Sequence, residues 1–266
     1  IYEDFSGVVE EVDEGDEIAK ALGNKKVAIL IIEKPIAANV SDAKKIYRVA
    51  RETQCDVRVA YNLRYLEGLP RLGEVLSSGI LGDVHNFNIT VGQDLKLWRP
   101  HRNVKDSVSA QANKGGGVLR ELSHELDLAI HLFGKPKHST LRRAKLKYAE
   151  LDVEDTAIIQ AQFGINSILG TINLDFTRDT PIRIISIRGE CGKLVWDLLA
   201  GEITIEVNGK KETLFSKDDD LPSTYGQMWS QILLQRDTIL PNAEEATEII
   251  YWIEDMEKRF KMEKSE

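Results

Sequence analysis

Cysteine is scarce in this sequence, which contains two cysteines in 266 residues. Cys55 and Cys191 stand far apart, and neither belongs to a C-x-x-C pair or to a His/Cys set with metal-ligand spacing. This scarcity excludes a disulfide framework and argues against a cysteine-based zinc site. We therefore expect two free thiols in a reducing compartment and predict a cytoplasmic protein.

Long hydrophobic runs and a basic leader are also missing. The longest apolar run, residues 27–32, has about six residues, whereas a membrane-spanning helix needs about 20. The first residues, Ile1 to Phe5, contain no basic side chain, and the sequence begins with isoleucine rather than methionine. We therefore predict that the chain has no membrane anchor and no secretory signal. The missing methionine indicates a chain that is N-terminally incomplete.

An excess of positive charge is the third feature that the sequence lacks. It has 35 Lys and Arg against 43 Asp and Glu, a net charge of -8. No basic stripe is present to neutralise phosphates, so we predict no nucleic-acid partner. Hydrophobic residues make up 42% of the chain, and its length allows two globular domains.

The first part of the chain has the pattern of a β-α-β unit. A short helix is predicted over 16–23, and the continuous apolar run 27–32 is typical of a strand buried on both faces. Ser41 is the predicted N-cap of a helix over 42–53, and a second strand follows over 57–61. This order implies two parallel strands with a right-handed crossover.

The middle of the chain alternates helices with longer connections. We predict a helix over 66–78, a strand over 84–91 and a helix from Gly117 to Phe133. The polar connection over 92–114 is long for a segment inside a domain, and such segments are often functional.

The second half changes to a period-two pattern from about 138 to 215, which predicts an antiparallel sheet with one polar face. Asn208 and Gly209 are typical of a type I′ hairpin turn between its last strands. Helices are predicted over about 224–236 and 243–260.

Together these elements predict an α/β fold in two parts. Residues 1–63 are expected to contain the β-α-β unit and its parallel sheet. Residues 64–266 are expected to form an α+β domain with a large, mostly antiparallel sheet.

Lys34 is the first candidate for acid–base chemistry. It follows a predicted buried strand and therefore lies at the carboxyl edge of the sheet, where open α/β folds bind their ligands. Burial or a neighbouring cation would lower the pKa of its ammonium and make it a proton donor or acceptor. The alternative is an ordinary surface lysine at a strand end.

His124 is the second candidate, on the helix that follows three glycines. Glu121 and Asp127 lie one turn on either side of it and form a polar patch on an otherwise apolar helix. The alternative is a structural histidine. His131 shares this face, so a metal-dependent hydrolase is a third hypothesis, although the spacing is not H-E-x-x-H and we predict no metal site.

Several motifs in order resemble the glucose–fructose oxidoreductase/inositol dehydrogenase (Gfo/Idh/MocA) family. The likeness extends over nearly all of the chain from about residue 16. The motifs are Glu33-Lys34-Pro35, Tyr61-Asn62-Leu63-Arg64-Tyr65, Gly79-Ile80-Leu81-Gly82, Trp98-Arg99-Pro100, Gly115 to Leu128 and Gly189 to Gly192.

The resemblance implies hydride transfer between a nicotinamide cofactor, NAD or NADP, and a carbon of a sugar, nucleotide sugar or cyclitol. Lys34 matches the family lysine that meets the reacting hydroxyl, and His124 matches the histidine taken as the acid–base group. It implies substrate contacts by Glu121, Asp127, Arg64 and Arg99, and cofactor contacts by Glu33, Lys34, Pro35, Asn62 and Trp98. It also implies a homo-oligomer formed through the C-terminal sheet.

Two departures from the family pattern leave alternatives open. Nothing before Glu33 supplies the G-x-G-x-x-G turn that holds the pyrophosphate, and Arg120 stands where the family has an Asp four residues before the histidine. The resemblance therefore implies that residues 1–63 are the remaining part of a Rossmann dinucleotide-binding domain with an incomplete, Rossmann-like parallel sheet. The chain is predicted to be an oxidoreductase with part of its nucleotide-binding half missing. The alternative is a truncated, inactive family member that serves as an oligomerising or sugar-binding scaffold.

Overall fold

The computed structural model describes residues 29–32, 34–98, 104–148, 151–216, 221–233 and 238–260, so the helix predicted over 16–23 lies outside the described residues. The strands are β1 (Ile29–Ile32), β2 (Asp56–Val59), β3 (Val84–Gly92), β4 (Pro136–Ala144), β5 (Thr156–Phe163), β6 (Ile168–Asp175), β7 (Ile182–Gly189), β8 (Gly192–Asp197), β9 (Glu202–Val207) and β10 (Lys210–Ser216). The helices are α1 (Val40–Thr53), α2 (Gly68–Ser78), α3 (Leu95–Trp98), α4 (Val118–Glu121), α5 (Ser123–Phe133), α6 (Leu221–Leu233) and α7 (Ala243–Arg259).

The β-α-β unit is present as predicted. β1 and β2 pair in parallel, with Ile29 opposite Asp56, and α1 connects them. The predicted N-cap at Ser41 is wrong, because the Asn39 side chain caps α1 by accepting a hydrogen bond from the Asp42 amide. Asn39 has extended backbone angles, as an N-cap requires, so α1 begins two residues earlier than the sequence pattern suggested.

Strands β3 to β10 form an eight-stranded sheet in the order β10-β9-β8-β7-β3-β6-β5-β4. β3 runs parallel to β6, and the other pairs in the sheet are antiparallel. The prediction of a large, mostly antiparallel sheet is therefore confirmed. The hairpin turn is confirmed too, since Asn208 and Gly209 have φ of 53° and 74°, both positive as a type I′ turn needs.

One face of this sheet packs against helices and forms the main core. Phe87 of β3 stacks on Phe133 of α5, with ring centroids 3.9 Å apart, and the Trp252 indole N–H of α7 donates to Ser139 Oγ. Inward side chains alternate with partly exposed ones along the strands, as in β5 and β7. No helix within the described ranges is both long and apolar enough to cross a membrane.

The helix predicted to run from Gly117 to Phe133 is interrupted. Leu122 has φ −99° and ψ 23°, which separates the single turn α4 from α5. The long connection before it is a series of short turns in its described part, with α3 and 3₁₀ turns at Val104–Asp106, Val108–Ala110 and Ala112–Lys114. The interruption at Leu122 matters because it lies at the candidate site.

Candidate active site

Lys34, which follows the end of β1, contacts Glu121. The Lys34 ammonium donates a hydrogen bond to the Glu121 carbonyl, and its Nζ lies 3.7 Å from Glu121 Oε2. Both side chains are partly buried. The structure therefore brings together two of the predicted site residues, which are 87 positions apart in the sequence.

The interruption at Leu122 makes this contact possible. In a continuous helix the amide of Glu125 would bond to the Glu121 carbonyl, four residues earlier. Here the Glu125 amide bonds instead to the Leu122 carbonyl, at 3.0 Å. The Glu121 carbonyl is thereby left available to Lys34, and the Glu121 carboxylate is presented on the same side.

His124 is buried beside this pair. Its Nε2 lies 2.9 Å from Nη2 of Arg183 and 3.6 Å from Oε1 of Glu125. Burial lowers the pKa of His124 well below its ordinary value, and the charges of Lys34 and Arg183 lower it further. The influence of the Lys34 charge on this ring means that the two predicted catalytic groups share one electrostatic environment.

Glu125 and Arg183 are site residues that our sequence reasoning missed. Arg183 Nε lies 2.9 Å from Glu125 Oε1, as an ion pair without the alignment of a hydrogen bond. Burial raises the pKa of Glu125, and the Arg183 charge opposes that rise. Arg183 could have been noticed in the sequence, because it occupies an inward position of the alternating strand β7. Such positions normally hold apolar residues.

Arg64 and Asp127 are engaged with each other. Arg64 Nε and Nη2 donate to the two carboxylate oxygens of Asp127 at 2.9 and 2.7 Å, and Arg64 Nη1 donates to the Ile239 carbonyl. Burial raises the pKa of Asp127, while Arg64 opposes the rise. The substrate contacts expected of these two residues stay a prediction.

The remaining predicted site residues are placed as follows. The Asn62 side chain is buried and donates to Thr224 Oγ1 of α6 at 2.8 Å. Pro35 follows Lys34 directly and is partly buried. Trp98 ends α3, and its side chain lies outside the described residues, as do Glu33 and Arg99.

The proposed metal ligands do not form a cluster. His131 is exposed, whereas His124 is buried against Arg183, and Asp127 is held by Arg64. Within the described part of the chain, no three His, Cys, Asp or Glu side chains are grouped in a way that could hold a metal ion. The ligand set behind the hydrolase hypothesis is therefore not present.

Arg120 has a structural role at the position where the family Asp was expected. Its guanidinium donates to the Ala38 carbonyl at 2.8 Å and pairs with both oxygens of Glu257 on α7. Ala38 belongs to the segment that follows Lys34. Arg120 therefore fixes α4 against that segment, while Glu121 supplies the carboxylate beside Lys34.

Two family models match this chain, one in its N-terminal part and one in its C-terminal part. Residues 7–61 match the NAD-binding Rossmann fold of the Gfo/Idh/MocA oxidoreductase family, and residues 74–256 match its C-terminal alpha/beta domain. The predicted boundary at residue 63/64 falls between these segments, and the domain division itself stays a prediction.

Two curated relatives illustrate the similarity in sequence. An oxidoreductase of Formosa agariphila is 24% identical over 191 residues, which cover 68% of this chain and 56% of that protein. The scyllo-inositol 2-dehydrogenase (NADP(+)) of Bacillus subtilis is 27% identical over 112 residues, 42% of this chain and 30% of the enzyme. The chain spans about half the length of the first curated relatives that it matches.

Solved structures share the fold. An inositol dehydrogenase homologue from Azotobacter vinelandii, in complex with NADH and myo-inositol, superposes with a TM-score of 0.72 at 15% identity, over 91% of this chain and 73% of that one. A levoglucosan dehydrogenase in complex with NADH and levoglucosan gives a TM-score of 0.73 at 16% identity, over 86% and 71%. Together with the two matched domains, this shows that the chain belongs to the Gfo/Idh/MocA oxidoreductase family and that its N-terminal part is of the NAD-binding Rossmann type.

Proposed function

We propose that this protein functions as an NAD- or NADP-dependent oxidoreductase. It would transfer a hydride to or from a carbon that bears a hydroxyl or keto group on a sugar, nucleotide sugar or cyclitol. The observation that carries the proposal is the Lys34–Glu121 pair beside the buried ring of His124. The structural neighbours include an inositol dehydrogenase homologue with bound myo-inositol and a levoglucosan dehydrogenase with bound levoglucosan, which supports polyols and anhydro sugars as the substrate class.

The residues present fit the nicotinamide end of the cofactor. Lys34 follows β1 at the carboxyl edge of the parallel pair, which is where doubly wound folds hold dinucleotides. His124 Nδ1 is buried without a hydrogen-bond partner among the described residues, so a polar atom of a ligand can satisfy it. When bound, the nicotinamide accepts or supplies the hydride. We propose that Glu33, Pro35, Asn62 and Trp98 line this end of the cleft.

Proton transfer is the part of the reaction that the side chains of this chain would perform. In the reducing direction, the Lys34 ammonium donates a proton to the substrate oxygen that becomes a hydroxyl. In the oxidising direction, Lys34 takes that proton, and the neighbouring carboxylate of Glu121 stabilises the charge that the lysine gains. We propose that His124 hydrogen-bonds the same oxygen.

Arg64 and Asp127 have a supporting place in this proposal. Arg64 donates hydrogen bonds to both carboxylate oxygens of Asp127. We propose that this pair holds α5 against the turn after β2 and thereby shapes the substrate cleft. Arg99, from the segment after α3, is proposed to contact the substrate directly.

The proposal also concerns assembly and location. Exposed apolar side chains such as Ile158 and Leu169 lie on the face of the sheet that the helices leave uncovered, which supports pairing with a second copy. Cys55 and Cys191 are free, which supports a reducing, cytoplasmic location.

The test is binding followed by turnover. NADH and NADPH fluorescence would be titrated with purified protein, and reduction of the oxidised cofactors would be followed with a panel of inositols, anhydro sugars and nucleotide sugars. We expect saturable binding of one cofactor and turnover with at least one polyol. Absence of binding at millimolar concentrations of both cofactors would refute the proposal.

A further inference from the structure

Arg183 and His124 are in contact in a way that restricts the ring. The guanidinium of Arg183 has only donors and stays protonated at any accessible pH, so at 2.9 Å from His124 it donates to Nε2. Nε2 therefore has to be an unprotonated acceptor. A neutral imidazole with an acceptor at Nε2 carries its hydrogen at Nδ1.

Glu125 holds Arg183 in this position. Arg183 Nε lies 2.9 Å from Glu125 Oε1, and the two side chains are 10% and 0% exposed. Arg183 projects from the inward side of β7, while Glu125 and His124 are neighbours on α5. Because the pair is fixed from two packed elements, the donor to Nε2 cannot turn away without leaving a buried carboxylate unpaired.

A proton on Nε2 is also opposed by charge. It would place a cationic ring against the Arg183 guanidinium and near the Lys34 ammonium, with Glu125 Oε1 at 3.6 Å as the facing anion. That anion is already paired with Arg183. Burial first, and then these two cations, keep the ring neutral.

We infer that Arg183 is a positioning residue that holds His124 as the neutral Nδ1–H tautomer. The buried Nδ1, which has no hydrogen-bond partner within the described residues, then donates a hydrogen bond to the substrate oxygen. His124 polarises that oxygen, and Lys34 alone carries the proton. This division of roles rests on the proposed function, and it replaces the acid–base role that the family resemblance implied for His124.

The tautomer can be measured directly. Protein labelled with ¹⁵N-histidine would be examined by long-range ¹H–¹⁵N correlation from about pH 5.5 to about pH 8.5, around the ordinary histidine pKa. The chain has five histidines, and the signals of His124 are those lost in His124→Gln. We expect a protonated Nδ1 and an unprotonated Nε2 throughout. An Nε2–H tautomer, or a doubly protonated ring near neutral pH, would overturn the inference.

Variants show whether Arg183 is the cause. Arg183→Met with Glu125→Gln removes both charges together, and we expect the Nε2–H form to appear because no donor then faces Nε2. Arg183→Lys keeps a cationic donor and should keep the wild-type pattern. Arg143→Met is the matched control, because Arg143 is also largely buried and paired with carboxylates, and it should leave the His124 signals unchanged. An unchanged Nδ1–H ring in the double variant would contradict a role for Arg183.

Failure of this inference differs from failure of the proposed function. The ring signals are recorded without cofactor or substrate, so they report on Arg183 whatever the reaction is. A protein that holds the Nδ1–H tautomer but binds neither NADH nor NADPH would refute the oxidoreductase proposal and leave the positioning role standing. A protein that turns over polyols but holds His124 as the Nε2–H tautomer would support the oxidoreductase proposal and refute the positioning role of Arg183.

Discussion

At the scale of single residues, the site is an arrangement of alternating charges around a neutral ring. Lys34 and Arg183 are the cations, Glu121 and Glu125 are the anions, and His124 lies among them. At such distances and with little solvent, each charge changes the protonation of its neighbours far more than it would in water. The chemistry therefore depends on these pairs as a set.

Burial of neutral His124 makes the stability of the fold depend on pH. Its pKa is lower in the folded state than in the unfolded chain, because burial and then Lys34 and Arg183 disfavour the charged ring. As pH falls below the ordinary value of about 6.5, the unfolded chain binds a proton that the folded state does not, so stability decreases. The contribution is at most about 1.4 kcal/mol per pH unit.

We therefore expect His124→Asn to flatten the fall of unfolding free energy between about pH 6.5 and about pH 5. Urea denaturation at several pH values measures this slope. His85→Asn is the control, because His85 is exposed on β3, and its slope should match the wild type. Equal slopes in all three proteins would contradict a buried neutral His124.

At the scale of single elements, the entry to α4 depends on Gly117. This residue has φ of 100°, and a Cβ there would lie 2.5 Å from Oε1 of Glu154. That oxygen accepts a hydrogen bond from the Leu119 amide in the first turn of α4. A side chain at position 117 would therefore disturb both the backbone and the carboxylate that fixes α4 beside Lys34.

Gly117→Ala should lower the unfolding free energy by about 1–3 kcal/mol, through a strained φ and overpacking. The matched control is Gly73→Ala in α2, where a Cβ would meet nothing within 4 Å. Alanine there should raise stability by up to about 1 kcal/mol through helix propensity. Denaturant titration of both variants measures the difference, and a neutral effect at Gly117 would be the contrary result.

The elements differ in how far the sequence could predict them. Alternating strands and the turn at Asn208 and Gly209 were predictable because their patterns are local. The interruption at Leu122 was not, since the helical pattern runs through it and the Lys34 contact that it permits joins residues 87 positions apart. For the same reason the sequence predicted Lys34 and His124 as site residues but gave no distance between them, and it did not pair Arg183 with His124.

At the scale of the whole molecule, α7 connects the two parts of the fold. Glu254 Oε1 accepts from the Val40 amide at the start of α1, and Glu257 binds Arg120 of α4 and Arg143 of β4. Helix α7 thus contacts the β-α-β unit through α1, the candidate site through α4, and the large sheet through β4. The position of the site therefore depends on α7, although α7 contributes no reacting group to the proposal.

Glu257→Gln should destabilise the fold by on the order of 3 kcal/mol, because it leaves Arg120 and Arg143 without their shared, largely buried carboxylate. Glu248→Gln on the same helix removes an exposed pair with Lys135 and should cost less than about 1 kcal/mol. Thermal or urea unfolding of the two variants compares them. Similar small losses in both would contradict a connecting role for Glu257.

Lys34 is the residue on which the proposed reaction depends most, because it moves the proton during hydride transfer. Deuterium transfer from a carbon-deuterated polyol to the oxidised nicotinamide, measured in wild type, in Lys34→Met and in the exposed control Lys137→Met, tests this directly. We expect a rate about 10²–10⁴-fold lower in Lys34→Met, with cofactor binding retained and the control unchanged. Transfer at the wild-type rate in Lys34→Met, or no transfer from any polyol to the wild type, would contradict the account.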